Sequence, residues 1–361
     1  MTTETVRTRR LSWKVMLVIG AFLVLGLLLL RQGMIHGRTP VYQPTAANEA
    51  RARCMTDGTL TVVLLHETGH MMIRELHLPV LGQEEDAADR FAAAVLMART
   101  SHDKPLSLQK TCQGVAPVNA TMPDLALVSS AVFFDALYLQ SLADHRAPVW
   151  GDEHGQPEQR AFTILCLLYG EHPQQFSDIV DRVKMPEHRR EGCAAEAATN
   201  QTAWNAVLQP ALSAQEAEPL PTRVGVFYHP VGDDVPEPLR RRLIQGMQRV
   251  QASHVLEDVA SVMSGVRPPQ SLLGNGRLGH PLDIDRTIRI GLHGPTEPGD
   301  EEYLESQDDY RVIGDACLDG KGGAIVNAEW NPQTRSITLC YALVDQIESV
   351  NKLELAAAGA R

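Results

Sequence analysis

VVLLHETGHMMIR, residues 62–74, combines a strongly apolar segment with three polar side chains suited to metal chemistry. Apolar residues lie on most sides of it, which predicts one buried helix carrying His66, Glu67 and His70. Positions i and i+4 share a helix face, so both imidazoles can reach one metal ion. Zinc accepts imidazole nitrogen and, in catalytic sites, keeps one position for water. Glu67 is then the expected general base.

A chance match is the alternative explanation of this motif. Three polar side chains inside so apolar a helix are costly to bury unless each of them is satisfied. A shared metal ion would satisfy them, and the context therefore favours the metal interpretation.

The third ligand is expected on the next helix. Pro79 ends the first helix, and QEEDAAD, residues 83–89, opens a second one. Glu85 and Asp89 share a face of that helix, so Glu85 is predicted to bind zinc while Asp89 orients a ligand histidine from behind. Glu84 is the main rival ligand. Ordinary enrichment of acidic residues in a first helical turn is the alternative explanation.

His154 is a further candidate for the site. It lies in a polar stretch, Asp152–His154, and could stabilise an oxyanion during catalysis. A capping or surface histidine is the competing interpretation.

Composition excludes several classes of protein. The chain has 361 residues, of which 44% are hydrophobic and 21% charged, a balance typical of a globular protein. Its formal net charge of -11 argues against binding nucleic acid through its phosphates.

The N-terminus carries a membrane signal. Residues 15–30 are apolar and follow a basic start, which predicts a transmembrane anchor with residues 1–14 in the cytoplasm. A cleaved signal peptide is the alternative, but residues 31–35 offer no Ala-x-Ala cleavage site. We therefore expect an uncleaved single-pass anchor, with the rest of the chain outside the cytoplasm (periplasmic in a Gram-negative cell).

Six cysteines agree with that location. Their number is even and none forms a Cys-x-x-Cys motif, so in an oxidising compartment they predict up to three disulfides. Six cysteines allow about 15 pairings, and the spacing alone does not choose among them.

The rest of the chain divides into two halves of different character. Residues 31–50 are a predicted linker, residues 51–212 are mainly helical, residues 213–222 are a second linker, and residues 223–361 contain strands. In the last part we predict a strand at Val224–Tyr228, a helix at 237–263, a strand at 285–292, a hairpin of 324–328 with 336–341, and a helix at 343–355.

Two segments carry a resemblance to known peptidases. The His-Glu-x-x-His motif followed by Glu-x-x-x-Asp resembles the gluzincins, and HETGHMMIRELHLPVLGQEEDAADRFAA is similar to a bacterial family of metallopeptidases of poorly defined substrate. That likeness covers roughly residues 60–212. Residues 317–343 resemble a hairpin that precedes the zinc helix in that family, whereas here it follows. The acidic residue expected after Tyr341 is replaced by Ala342.

The resemblance implies an α+β, zincin-like fold that is mainly helical, with a small sheet supplied largely by the C-terminal half. On this interpretation the chain is circularly permuted and each half completes the other. The alternative is that the hairpin belongs to a separate, partial copy. The family-like segments imply the disulfides Cys166–Cys193 and Cys317–Cys340, which leaves Cys54 to pair with Cys112.

These observations predict a membrane-anchored zinc metallopeptidase whose partners are a peptide or protein substrate and the membrane, with no nucleic acid. Zn²⁺ would be held by His66, His70 and Glu85, with Glu67 and His154 as catalytic residues and Asp89 behind them. Two alternatives stay open: a catalytically silent scaffold that keeps the zincin fold, and a zinc amidase acting on cell-wall material.

Overall fold

The structure is a computed structural model, and the part of the chain that it describes consists of seven ranges. These are residues 41–99, 105–115, 120–148, 153–213, 224–264, 289–291 and 310–359.

The N-terminal half is helical throughout the part described. Its helices are α1 (Ala46–Glu75), α2 (Glu84–Met97), α3 (Leu108–Thr111), α4 (Met122–Ala143), α5 (Pro157–Glu171), α6 (Pro173–Arg182), α7 (Glu187–Glu191) and α8 (Cys193–Ser213). In the described parts of 51–212, the prediction of a mainly helical segment is confirmed.

The C-terminal half supplies the strands. Its elements are β1 (Val224–Tyr228), α9 (Leu239–Ser253), α10 (Val255–Ser264), β2 (Arg289–Gly291), β3 (Tyr310–Asp315), β4 (Ala328–Asn331), β5 (Ser336–Cys340) and α11 (Tyr341–Gly359). They form one mixed sheet in the order β2-β1-β3-β5-β4. The first four strands in that order run parallel, and β4 is antiparallel to β5 with Trp330 opposite Ile337. The predicted small sheet is confirmed, and β4 lies at its edge.

Helix α1 begins earlier than the sequence suggested. Residues 46–50 were assigned to the linker, but they are helical because Thr45 caps the helix by accepting a hydrogen bond from the Asn48 amide. The predicted helix at 237–263 is interrupted at His254, whose backbone is left-handed, so two helices form instead of one. The first hairpin strand begins at Ala328, four residues later than expected.

Other predictions fall wholly or partly outside the described residues. The anchor at 15–30 is one of them, together with nearly all of the linker at 213–222 and most of the strand at 285–292. Within the described ranges, α4 alone is long and apolar enough to cross a membrane by length and composition. Much of α4 is buried against α1 and α5, as expected for a core helix.

The two halves pack against each other along α1. Buried apolar residues form one continuous cluster that includes Leu64 of α1, Val226 of β1 and Ile347 of α11. Polar contacts cross the same boundary: Arg249 donates to the buried Asp57 at 3.1 Å. Helix α1 is therefore covered by the helical half on one side and by β4, β5, α10 and α11 on another.

All six cysteines form disulfides. The pairs are Cys54–Cys112, Cys166–Cys193 and Cys317–Cys340, as predicted. The first two lie within the helical half and the third within the strand-containing half, so no disulfide joins the halves.

Candidate metal centre

Helix α1 places two imidazoles side by side. The Nε2 atoms of His66 and His70 are 3.1 Å apart, and His66 is almost completely buried. Both Nε2 atoms point to the same space, as the one-turn spacing predicts.

Helix α2 brings a carboxylate to that space. Glu85 Oε2 lies 3.0 Å from His66 Nε2, and Glu85 Oε1 lies 3.3 Å from His70 Nε2. The approach of the two helices depends on Gly69, because a Cβ there would lie 3.0 Å from the Cα of Ala88. The glycine inside the motif thus lets α2 come close enough for Glu85 to reach both histidines.

The spacing of the three side chains fits a metal ion. His66, His70 and Glu85 each offer one ligand atom, and these atoms lie within 4.8 Å of one another. A tetrahedral zinc ion with ligand distances of about 2.0–2.1 Å places its ligand atoms roughly 3.4 Å apart. The observed separations of 3.0–3.3 Å need only a small expansion to accept such an ion.

Glu84 and Glu85 are rival ligands in the sequence, and their side chains contact different atoms in the structure. Glu84 Oε1 lies 3.0 Å from His70 Nδ1, on the opposite edge of the ring from the metal-facing nitrogen. Arg74 donates to the same carboxylate from the solvent side. Of the two glutamates, Glu85 is the one grouped with both histidines.

Asp89 holds the other histidine in the corresponding way. Its Oδ1 lies 2.8 Å from His66 Nδ1, and Arg160 donates to both of its oxygens at 2.7 and 2.8 Å. Asp89 is buried, and the Arg160 guanidinium also stacks 4.1 Å from the centre of the Phe134 ring. Carboxylates at both Nδ1 atoms fix the ring orientations and direct both Nε2 atoms toward Glu85, where a metal ion could be held.

The electrostatics of the cluster favour a positive charge between the imidazoles and carboxylates. Burial alone would lower the pKa of His66, but hydrogen bonds to Asp89 and Glu85 outweigh it and raise that pKa to about 9. Burial would raise the pKa of Asp89, but Arg160 and His66 hold it well below its usual range. A metal ion held by the Nε2 atoms would take the place of a proton there and would supply a charge that this environment already stabilises.

Glu67 lies beside the ligand atoms of His66, His70 and Glu85 but is not one of that group. Its Oε1 is 4.0 Å from His66 Nε2, and its Oε2 accepts a hydrogen bond of 2.8 Å from the main-chain N–H of Trp330. Burial raises the pKa of its carboxyl, although His66, His70 and the Trp330 amide act in the opposite direction. A carboxylate with a raised pKa takes up a proton more readily, as a general base requires.

His154 is also brought to the site. Its Nε2 lies 3.1 Å from Glu85 Oε2, and its side chain is 42% exposed. Glu153, His154 and Glu85 form a second group of closely spaced ligand atoms, which shares Glu85 with the first. His154 therefore stands at the mouth of the site, between the metal-facing carboxylate and solvent.

A cleft of about 630 Å³ opens over these residues. One wall comes from α1, α2 and the segment before α5, and the other from β4 and its flanks. The lining residues are Glu67, His70, Arg74, Gln83, Glu84, Glu85, Glu153, His154, Asn327, Ala328, Glu329, Trp330 and Pro332. An edge strand thus runs along one side of the proposed metal position.

Three groups that hold the side chains of the site in place could not be identified from the sequence. Glu84 was considered only as a ligand, although it holds His70. Arg160 lies 71 residues from its partner Asp89, and no local sequence pattern indicates that pairing. The Trp330 group that contacts Glu67 is a main-chain N–H, which nearly every residue type has, so the identity of residue 330 does not indicate the contact. Tyr341 lies outside the cleft lining: its hydroxyl lies 2.8 Å from the main-chain carbonyl oxygens of His229 and Gly314 and can donate its one hydrogen to either.

Two histidines from one helix turn and a glutamate from the next helix form a group that could hold a metal ion, with a second glutamate beside it. Residues 35–208 match the model of the family described as "Putative metallopeptidase". The match confirms the resemblance noted in the sequence. Comparisons with curated proteins and with solved structures gave no match.

Proposed function

We propose that the protein is a zinc-dependent peptidase whose zinc ion is held by His66, His70 and Glu85. The observation that carries the proposal is the triangle of ligand atoms with Glu67 directly beside it. A scaffold would need the three ligands but would have no use for a buried glutamate with a raised pKa next to them.

The donor set favours zinc among the metals of biology. Two imidazole nitrogens and one carboxylate, with room left for a fourth ligand, are typical of catalytic zinc. Hard cations such as Mg²⁺ and Ca²⁺ prefer sites built from oxygen atoms alone.

The chain's own residues then divide the work of hydrolysis. Bound zinc would acidify a water molecule and polarise the carbonyl of the bond to be cut. Glu67 accepts the proton from the attacking water and returns it to the leaving amine. His154, at the mouth of the cleft, donates a hydrogen bond to the oxygen of the substrate carbonyl as negative charge develops on it.

An extended peptide is the substrate that suits the cleft. Strand β4 lies at the sheet edge and lines the cleft, so its main-chain groups can bind a peptide as an added strand. The proposed location is outside the cytoplasm, with the anchor at 15–30 in the membrane. Three disulfides support an oxidising compartment.

The test is Glu67→Gln compared with wild type. The variant should keep zinc and its unfolding temperature, because Glu67 is not a ligand, and it should lose hydrolysis of a peptide library. Zinc content by atomic absorption separates loss of the base from loss of metal. Full hydrolysis by Glu67→Gln would reject the mechanism. A zinc-loaded wild type that cuts no peptide but cuts cell-wall amides would favour the amidase, and one that cuts neither would favour the scaffold.

A further inference from the structure

The hydrogen-bonding pattern of the hairpin determines which main-chain groups of β4 face the cleft. The Cys340 amide donates to the Asn327 carbonyl at 3.0 Å, and the register pairs Glu329 with Thr338 and Trp330 with Ile337. Hydrogen-bonded and non-hydrogen-bonded pairs alternate along an antiparallel ladder. Glu329 therefore bonds to β5, whereas the N–H and C=O groups of Ala328 and Trp330 point away from the sheet.

One of these outward groups already has a partner. The Trp330 N–H donates to Glu67 Oε2 at 2.8 Å, a contact between residues 263 apart in sequence. Within the described part of the chain, no group other than the Trp330 N–H donates a hydrogen bond to the Glu67 carboxylate. Glu67 is 7% exposed, so water has little access to replace that donor.

We propose that the main-chain N–H of Trp330 is a positioning group that holds the Glu67 carboxylate beside the metal ligands. This inference rests on the proposed function for its catalytic meaning, but the contact itself can be tested without any substrate. With Oε2 anchored, Oε1 is the oxygen left facing His66 Nε2, at 4.0 Å. The hairpin thus fixes which carboxylate oxygen is offered to the reacting water.

The arrangement also limits how a peptide can pair with the edge. Ala328 offers both its N–H and its C=O to a strand added at β4. Trp330 offers only its C=O, because Glu67 occupies its N–H. A bound peptide would therefore form two main-chain hydrogen bonds with Ala328, to its N–H and its C=O, and one with the C=O of Trp330.

The first experiment measures hydrogen exchange of individual main-chain amides in the full chain. The Trp330 amide should exchange slowly in wild type and in Glu67→Gln, whose side-chain carbonyl still accepts a hydrogen bond. It should exchange at least about tenfold faster in Glu67→Ala, which has no acceptor. The Glu329 amide bonds to β5 and should stay protected in all three proteins, which controls for general loosening of the strand. Equal Trp330 exchange in wild type and Glu67→Ala would overturn the proposal.

The second experiment compares Trp330→Pro with Trp330→Ala. Both lose the indole, but only proline lacks the N–H, and an edge strand tolerates proline where its N–H faces away from the sheet. Trp330→Pro should show a kcat about ten- to a hundredfold below that of Trp330→Ala, with similar KM and equal zinc content. Equal kcat in the two variants would overturn the positioning role.

The two experiments fail independently. If Trp330→Pro loses zinc or does not fold, the exchange of Trp330 in Glu67→Ala decides the proposal alone. If wild type hydrolyses nothing, the proposed function fails, while the exchange data still show whether the amide holds the carboxylate.

Discussion

Replacing Glu85 by alanine should weaken zinc binding far more than replacing Glu84, although the two residues are neighbours at the start of α2. Glu85 approaches the Nε2 atoms of both histidines, whereas Glu84 reaches only His70 Nδ1. The change removes a ligand in the first case and a hydrogen-bond acceptor behind a ligand in the second.

The structure lets the two losses be estimated. Zinc sites in proteins are worth about 10–16 kcal/mol at neutral pH, so one of three protein ligands contributes roughly 3–5 kcal/mol. That corresponds to a loss of about 10²- to 10⁴-fold in affinity for Glu85→Ala. Removing a carboxylate behind a ligand histidine costs about 10- to 100-fold. Glu84→Ala should fall at the low end, because Glu84 is partly exposed and shared with Arg74.

A competition titration with a chromophoric chelator measures both affinities on the purified protein. Thermal unfolding of the metal-free proteins serves as a control that both variants fold. The reasoning is refuted if Glu84→Ala loses as much affinity as Glu85→Ala or more. That result would move the ligand by one residue and leave the Glu85 distances without a role in metal binding.

Three further predictions test the fold. Residues 41–213 produced alone should be poorly soluble, because α1 would lose the strands and helices of the C-terminal half that cover it. Co-expression with residues 214–361 should restore soluble protein. A stable, active fragment of residues 41–213 would contradict this prediction. Burial raises the pKa of Asp57 to about 6 from its ordinary 3.8, so the unfolded chain releases this proton first, and the contribution of Asp57 to the free energy of unfolding should fall by up to about 3 kcal/mol as pH rises from 4 to 6. Urea unfolding at several pH values should show the free energy of unfolding of Asp57→Asn rising by this amount relative to that of wild type over the same range. Replacing both Cys54 and Cys112 by serine removes a disulfide between residues 58 apart in sequence. This double variant should lose about 4 kcal/mol of the free energy of unfolding in the same assay. An unchanged urea midpoint would contradict this prediction.

Local patterns sufficed for much of the molecule. The motif helix follows from its apolar periodicity, and the pairing of His66 with His70 follows from the geometry of one helical turn. Strand β1 and strand β5 could be predicted from local signals, whereas β4 lies at Ala328–Asn331 and overlaps its predicted range of 324–328 only at Ala328. Local signals also predict the helical character of the first half, whose apolar residues recur at helical spacing.

The remaining features depend on contacts between distant residues. Which of Glu84 and Glu85 can reach both histidines depends on how closely α2 approaches α1. Gly69 permits that close approach, but a glycine within a helix does not by itself indicate which helix packs against it. The break at His254 is set by one backbone torsion and not by composition. Arg160 and the Trp330 amide reach their partners across 71 and 263 residues, and no periodicity carries that information.

The edge position of β4 has a consequence for the behaviour of the protein in concentrated solution. A strand edge that can receive a peptide can also pair with the same edge of another copy, which is a common route to aggregation. Strand β4 has only four residues, and it carries the charged, exposed Glu329. Its Trp330 donor is already occupied by Glu67. Each of these features makes edge-to-edge association of two molecules less favourable, so the hydrogen bond between Trp330 and Glu67 also helps to keep the copies apart.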